Sequence, residues 1–129
     1  MASSLSLIPV RIVYRGESIA AELHRVAAPR TVEAVVMNLP LEGPAIHTGD
    51  QVYFKANLGL GTEKPRREVE AETIGYWPLG DAVCVFLKDF RPYSPVNMIG
   101  RLSSDPSRLA EEERGSTMRL ERSQDDVRA

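Results

Sequence analysis

The run Gly75–Leu102 constrains the fold of this chain more than any other part of the sequence. Its letters, GYWPLGDAVCVFLKDFRPYSPVNMIGRL, predict a strand, a tight turn, a second strand, a loop and a third strand. The turn holds the chain's one tryptophan, Trp77, beside Pro78 and Gly80, two residue types that favour chain reversal. The second strand, Ala82–Lys88, is the most apolar and is expected to be buried on both faces. This run predicts a mainly β protein.

The N-terminal part of the chain predicts a β-hairpin. Residues Leu7–Arg15 alternate apolar and polar side chains, and Gly16 then precedes a second alternating segment. Glycine at the first turn position favours a type II′ turn. The apolar side chains of the two strands should face one another, with Val10, Ile12 and Tyr14 on one strand and Ile19, Ala21 and Leu23 on the other.

The segment Ala28–Pro40 predicts the main helix. Pro29 fits the first turn of a helix, and Pro40 forces a stop near Asn38. The spacing i, i+3, i+4, i+7 places one apolar stripe on the helix, formed by Val32, Val35, Val36 and Leu39.

The other segments show weaker patterns. Strands are predicted over Gln51–Ala56, Glu68–Ile74 and Thr117–Arg122, and a short helix over Ser107–Arg114, capped by Asp105 or Ser107. Loops are predicted over Leu41–Asp50 and, as a mobile hairpin tip, over Asn57–Arg67. Together these elements predict one barrel domain over residues 1–122 and a disordered tail over residues 123–129.

Three motifs carry a family resemblance. Ala28-Pro29-Arg30-Thr31-Val32-Glu33 resembles the start of the first helix in cyclophilins. The motif around Trp77 (GYWPLG), followed by Cys84 in an apolar strand and then by the motif around Asn97 (PVNMIGR), resembles the small prokaryotic cyclophilin-like proteins. These are single-domain relatives of the peptidyl-prolyl isomerases. The resemblance covers about Val10 to Leu102 and implies an eight-stranded barrel with little beyond the core. Together with the elements predicted from the sequence, the expected fold is mainly β, a small closed eight-stranded cyclophilin-like β-barrel with one main helix and a short C-terminal helix.

The same resemblance implies isomerase activity less strongly than it implies the fold. Active cyclophilins carry a strand with the pattern F-H-R-V, whose arginine polarises the prolyl carbonyl. The corresponding region here reads Ile46-His47-Thr48-Gly49-Asp50 and has no such arginine. The catalytic residues are therefore left unassigned.

Prolyl isomerisation needs an apolar pocket for the ring and a donor that weakens the resonance of the amide. The candidate pocket residues are Phe54, Trp77, Phe86 and Met98, and the candidate donors are Arg66, Arg67 and Arg91. Asn97 and His47 complete the predicted ligand-binding set. Ordinary core packing is the alternative for the aromatic residues, and holding a loop is the alternative for Asn97.

Composition excludes several classes of protein. The net charge of −2 argues against general nucleic-acid binding, and no apolar run approaches the roughly 20 residues of a membrane helix. One cysteine, Cys84, permits no internal disulfide and is expected to be a buried thiol. The two histidines, His24 and His47, do not form a metal site with it, and no cofactor is expected. We expect a soluble cytoplasmic protein whose exposed strand edges could also pair into a homo-oligomer.

Three function hypotheses follow from the sequence. The first is a module that binds a peptide or proline-containing ligand in a barrel-side pocket, with weak or no isomerase activity. The second is a small-molecule binding protein that uses the same pocket. The third is a hydrolase-like enzyme that uses His47, or a glutamate such as Glu68 with an arginine.

Overall fold

The computed structural model describes residues 6–123 as one antiparallel sheet of nine strands, one α-helix and one 3₁₀ turn. The strands are β1 (Leu7–Tyr14), β2 (Glu17–His24), β3 (Leu41–Pro44), β4 (Ile46–His47), β5 (Gln51–Lys55), β6 (Thr73–Trp77), β7 (Ala82–Phe86), β8 (Asn97–Leu102) and β9 (Thr117–Arg122). The helix is α1 (Pro29–Met37), and the 3₁₀ turn is Ser107–Ala110.

The sheet curls into a nearly closed barrel. The strand order is β3-β9-β1-β2-β8-β6-β7-β5-β4, so β3 and β4 lie at opposite ends although only Ala45 separates them in sequence. At Gly43 a Cβ atom would lie 3.3 Å from the carbonyl oxygen of Lys55, which shows how closely β3 approaches β5. The chain therefore bends at Ala45 and joins the two edges of the sheet.

This closure corrects two predictions from the sequence. The segment Leu41–Asp50 was expected to be a loop, and it contains β3 and β4. Strands of four and two residues are too short to show a period-two pattern, so glycine and proline dominate the sequence signal there. The barrel has nine strands rather than eight for the same reason.

The predicted hairpin is confirmed, with a different turn. Ile12 pairs with Ile19 and Val10 with Ala21, and all four side chains are buried. The two residues of the turn, Arg15 and Gly16, have φ angles of 52° and 79°. Positive φ at both central positions defines a type I′ turn rather than type II′.

The barrel interior is filled by inward-facing apolar side chains of the strands and closed on one side by α1. Along β1 every second residue is buried, as the alternation in sequence predicts. The helix places Val32 and Val35 fully in this core, and Val36 and Leu39 pack partly against it, which confirms the predicted stripe. The helix ends at Met37, close to the stop predicted from Pro40.

A second, smaller apolar cluster lies on the outer face of the sheet. It contains Val69, Ala82, Cys84, Phe86 and Val96, with Tyr53, Trp77 and Phe90 packed against it. Two irregular segments, 65–70 and 87–96, cover this face and are joined by isolated bridges, Arg66 with Val96 and Val69 with Phe90. Strand β7 is therefore buried on both faces, as predicted, and burial raises the pKa of the Cys84 thiol.

Several smaller predictions need correction. Strand β6 begins only at Thr73, so Glu68 and Glu70 lie in the covering segment 65–70 and not on the strand predicted over Glu68–Ile74. The C-terminal helix is a single 3₁₀ turn, at which the Asp105 carboxylate accepts the Ser107 backbone N–H at 3.0 Å. Of the predicted tail only Ser123 is described, and residues 124–129 lie outside the described part of the chain. In residues 6–123 no helix is long and apolar enough to cross a membrane.

Candidate functional site

An apolar pocket of about 130 Å³ opens on the outer face of the barrel beside Trp77. A cavity of about 150 Å³ lined by apolar side chains holds one benzene molecule, so this pocket has the size for a single ring. Its lining is Gln51, Trp77, Phe86, Phe90, Pro92, Tyr93 and Val96.

The turn between β6 and β7 fixes the position of Trp77. The indole lies so close over Gly80 that a Cβ atom there would be 2.3 Å from the ring, so only glycine fits beneath it. The indole also meets Tyr53 edge to face, with ring centroids 5.8 Å apart. Its Nε1–H donates to the Ser94 hydroxyl, which ties the turn to the segment that carries Tyr93. These contacts hold Trp77 at the rim of the pocket.

A larger polar groove of about 610 Å³ adjoins the pocket. The two cavities share Phe90, whose ring stacks on Phe86 with centroids 6.0 Å apart. The groove is lined by Arg66, Glu68, Val69, Glu70, Thr73, Asp89, Phe90, Arg91, Met98 and Arg101. A ring-sized apolar pocket and a wider, charged groove are thus neighbours on the same face of the protein, with Phe90 as a common wall.

Exposed ion pairs cross this groove. Arg91 contacts Glu68 at 2.6 Å, and their side chains are 76% and 73% exposed. Arg101 contacts Glu70 at 3.3 Å, again with an exposed carboxylate. Ion pairs in this setting contribute little to stability because water screens them. The charged walls of the groove can therefore rearrange around a ligand at small cost.

A different polar arrangement closes one end of the barrel, where loop 57–63 packs against α1 and β8. The Asn97 side chain is fully buried, accepting the backbone N–H of Glu63 at 2.8 Å and donating to the carbonyl oxygen of Gly61 at 3.0 Å. It also donates to the hydroxyl of Thr31 at 3.1 Å. Its amide is thus satisfied within the protein, so Asn97 holds this loop.

Asp81 secures the first part of the same loop. Its carboxylate accepts the backbone N–H groups of Leu58 and Gly59 at 2.9 and 3.1 Å. The Tyr76 hydroxyl donates to the same carboxylate at 2.6 Å and accepts the backbone N–H of Leu60 at 3.1 Å. The loop predicted to be a mobile hairpin tip is therefore attached to the barrel by side chains of the Trp77 turn and its flanking strand.

The carboxyl groups of Glu63 and Asp81, at this end of the barrel, both have lowered pKa values. Burial acts to raise the pKa of Glu63, but hydrogen bonds from the backbone N–H groups of Arg30 and Thr31 and from the Thr31 hydroxyl outweigh it and lower that pKa. For Asp81 burial is again outweighed by hydrogen bonds, and its pKa is lowered. Burial, followed by the bond to Asp81, raises the pKa of Tyr76 to about 12.

The structure brings together some of the predicted ligand-binding residues. Trp77 and Phe86 line the ring-sized pocket, while Arg91, with the further candidates Arg66 and Met98, lines the adjoining groove. Their binding roles stay predictions.

The other predicted residues lie elsewhere. Phe54 is 1% exposed in the barrel core and Asn97 holds the loop at the barrel end, so core packing and loop holding, the alternatives stated above, describe them better. His47 lies on β4, with Nε2 2.8 Å from the carbonyl oxygen of Leu109 and its ring 5.7 Å from that of Tyr14. His47 does not line the groove that holds Glu68.

Sequence reasoning missed part of the lining, namely Asp89, Phe90, Tyr93 and Arg101. Most of these residues lie on the two irregular covering segments, where no period identifies a face. One signal was present, because Tyr93 lies between Pro92 and Pro95, and prolines favour a turn or loop on the surface. Tyr93 is 93% exposed.

Comparison with known proteins identifies the family. The sequence model of the family described as cyclophilin-like matches residues 8–121, and the chain therefore belongs to this family. A search of curated proteins finds no match.

Two solved structures show the same fold. The solution structure of the hypothetical protein AF2241 from Archaeoglobus fulgidus aligns with a TM-score of 0.76 and 29% identity, covering 92% of this chain and 96% of that one. The structure of McbB in complex with tryptophan aligns with a TM-score of 0.69 and 17% identity, covering 88% of this chain and 44% of McbB. At that identity the likeness to McbB concerns the fold alone.

Proposed function

We propose that the protein binds a proline-containing peptide segment on its outer face, with the ring in the pocket beside Trp77 and the flanking residues in the groove. The observation that carries this proposal is that Phe90 lines both cavities, so that the ring-sized pocket and the groove are neighbours on the same face. The ring-sized pocket suits one small apolar side chain, and the wider charged groove suits the polar backbone on either side of it. Proline and aromatic side chains also pack well against one another in peptide-binding sites.

The groove supports binding better than it supports catalysis of isomerisation. A catalytic donor must be fixed at the amide in a site that excludes water, where its electrostatic effect is strong. Arg91 is 76% exposed and already paired with Glu68. Arg66 is exposed as well. We therefore expect isomerase activity to be weak or absent.

The chain's single tryptophan gives a direct test of the proposal. Titration with an Ala-Pro peptide should change the fluorescence of Trp77, and the matched Ala-Ala peptide should change it much less. Phe90→Ala removes the ring that lines both the pocket and the groove, so this variant should weaken binding about tenfold or more. Leu79→Ala is the control, because Leu79 lies on the turn that carries Trp77, is 71% exposed and lines neither cavity.

Equal responses to the two peptides, or equal losses in the two variants, would contradict the proposed site. Isomerase activity is measured separately, as the rate of cis/trans exchange of the Ala-Pro bond in the presence of the protein. An acceleration that persists in Arg66→Gln and Arg91→Gln would show that neither arginine acts as a donor.

A free small molecule with one ring is the alternative ligand. The pocket volume of about 130 Å³ accommodates such a ring without any peptide backbone. A thermal shift with single-ring metabolites but none with proline peptides would favour this alternative.

A further inference from the structure

We infer that the groove selects ligands that carry negative charge next to the ring, and that Arg66 determines this specificity. The inference rests on the proposed function, since it names the chemical class of ligand for the same site. It follows from the partners of the charged side chains in the groove and from the position of Arg66.

The carboxylates of the groove are already engaged. Glu68 pairs with Arg91 and Glu70 with Arg101, and Asp89 accepts the backbone N–H of Ala71 at 2.9 Å. Numbers of arginines and carboxylates in the lining are equal, so formal charge alone does not decide which ligand is favoured. The preferred ligand depends instead on which of these charged side chains has no partner within the protein and can bind the ligand.

Arg66 is the available group. Throughout residues 6–123 its guanidinium makes no hydrogen bond or ion pair, and neither does that of the adjacent Arg67. An unpartnered guanidinium favours carboxylate and phosphate groups, which accept its planar fork of N–H donors. Among the charged side chains that line the groove, Arg66 is therefore the one without a hydrogen-bond or ion-pair partner in residues 6–123.

Arg66 also lies directly beside the ring pocket. Its backbone N–H donates to the carbonyl oxygen of Val96 at 2.7 Å, and the N–H of Val96 returns a bond of 3.1 Å. Val96 is part of the pocket lining, whereas Arg66 is part of the groove lining. The reciprocal bonds hold the backbone of Arg66 beside Val96, where the groove and the ring pocket adjoin. We therefore expect the Arg66 side chain to meet an acidic residue one or two positions from the proline.

The two exposed ion pairs act as internal competitors for such a ligand. A carboxylate of the ligand can take the place of Glu68 at Arg91 or of Glu70 at Arg101, because water already solvates much of each pair. Removing either glutamate frees an arginine and lowers the repulsion that an incoming anion meets. Glu68→Gln and Glu70→Gln should therefore raise the affinity for acidic ligands.

The test uses four acetylated peptide amides and the fluorescence of Trp77. Three have the sequences Ala-Pro-Glu-Glu, Ala-Pro-Gln-Gln and Ala-Pro-Lys-Lys, and the fourth, Ala-Ala-Glu-Glu, lacks the ring. The acidic proline peptide should bind about three- to tenfold more tightly than the neutral one, and the basic one most weakly. The difference should shrink as the salt concentration rises.

Variants assign the effect to Arg66. Arg66→Gln should remove the preference for the acidic peptide. Arg67→Gln removes the same charge one residue away, outside both linings, and should leave most of the preference in place. Glu68→Gln and Glu70→Gln should strengthen it.

Each other outcome overturns a defined part of the account. Tighter binding of the basic peptide, or equal effects of Arg66→Gln and Arg67→Gln, would refute the charge selection and leave the ring site intact. Equal binding of Ala-Ala-Glu-Glu and Ala-Pro-Glu-Glu would refute the ring site and leave the charge selection intact. If no peptide binds, both proposals are wrong.

Discussion

Two polar regions of this barrel are built in opposite ways. At the barrel end, buried side chains such as Asn97 and Asp81 each make several hydrogen bonds to loop 57–63, and the partners are specified one by one. On the outer face, the charged side chains of the groove meet in exposed ion pairs such as Arg91 with Glu68. The polar contacts of the barrel end are therefore buried and specific, whereas those of the groove are exposed and screened by water.

The comparison separates residues that hold the fold from residues that line the pocket within one run of the sequence, Gly75–Leu102. Asn97, Asp81 and Trp77 all belong to this run, yet Asn97 and Asp81 hold loop 57–63, whereas Trp77 forms the rim of the pocket. A buried polar group without its partner costs more than a solvated one, because water cannot replace the lost bond. Substitutions at the barrel end should therefore affect stability, and substitutions in the groove should affect binding.

The largest effect is expected for Asn97→Ala. This change leaves the Glu63 N–H, the Thr31 hydroxyl and the Gly61 carbonyl without their buried partner, at a cost of about 3 kcal/mol. Ser94→Ala, beside the pocket, removes one hydrogen bond to Trp77 and should cost about 1 kcal/mol or less. Urea denaturation of both variants measures the difference, and equal losses would show that the two regions do not differ as described.

The second-largest effect is expected for acid, which should lower the free energy of unfolding through the barrel end. Glu63 and Asp81 have folded-state pKa values below their ordinary ones, so the stability they supply is present above about pH 4–5 and is lost as the pH falls through the folded values. Denaturation midpoints measured between pH 7 and pH 3 should fall less steeply in Glu63→Gln and Asp81→Asn than in the wild type. Glu68→Gln is the control from the groove and should keep the wild-type slope.

The smallest effect is expected for the ion pair across the groove. Glu68→Gln should change the free energy of unfolding by no more than about 0.5 kcal/mol, because both partners are exposed. Chemical denaturation at low and high salt checks this value. A loss of several kcal/mol would mean that the pair is part of the folded framework and is not free to exchange.

Much of the fold could be predicted from the sequence, since long strands and the helix carry clear periods. The strand pair around Gly16, the stripe on α1 and the buried β7 all follow from local alternation or spacing. Strands β3 and β4 could not be predicted, because six residues around Ala45 are too few to show a pattern. Their pairing with distant strands is a property of the closed barrel.

The candidate site was predictable only in part. Trp77 and Phe86 stand in recognisable strands and turns, and Arg91 was named as a donor without a known position. The groove forms where the two irregular segments, 65–70 and 87–96, meet over the outer face of the sheet. Neither segment shows a regular alternation of apolar and polar residues. The sequence showed that Asn97 must satisfy its amide but not with which partners, and the structure assigns it to the loop.

The most direct test of the central claim is a map of amide chemical shifts during titration with an Ala-Pro peptide. The account predicts that the shifts concentrate on residues 66–70, 89–93, 98 and 101 and on the Trp77 indole N–H, while loop 57–63 and Asn97 stay unchanged. Shifts that concentrate on loop 57–63 and leave the groove unchanged would contradict the division between a ligand-binding face and a fixed barrel end.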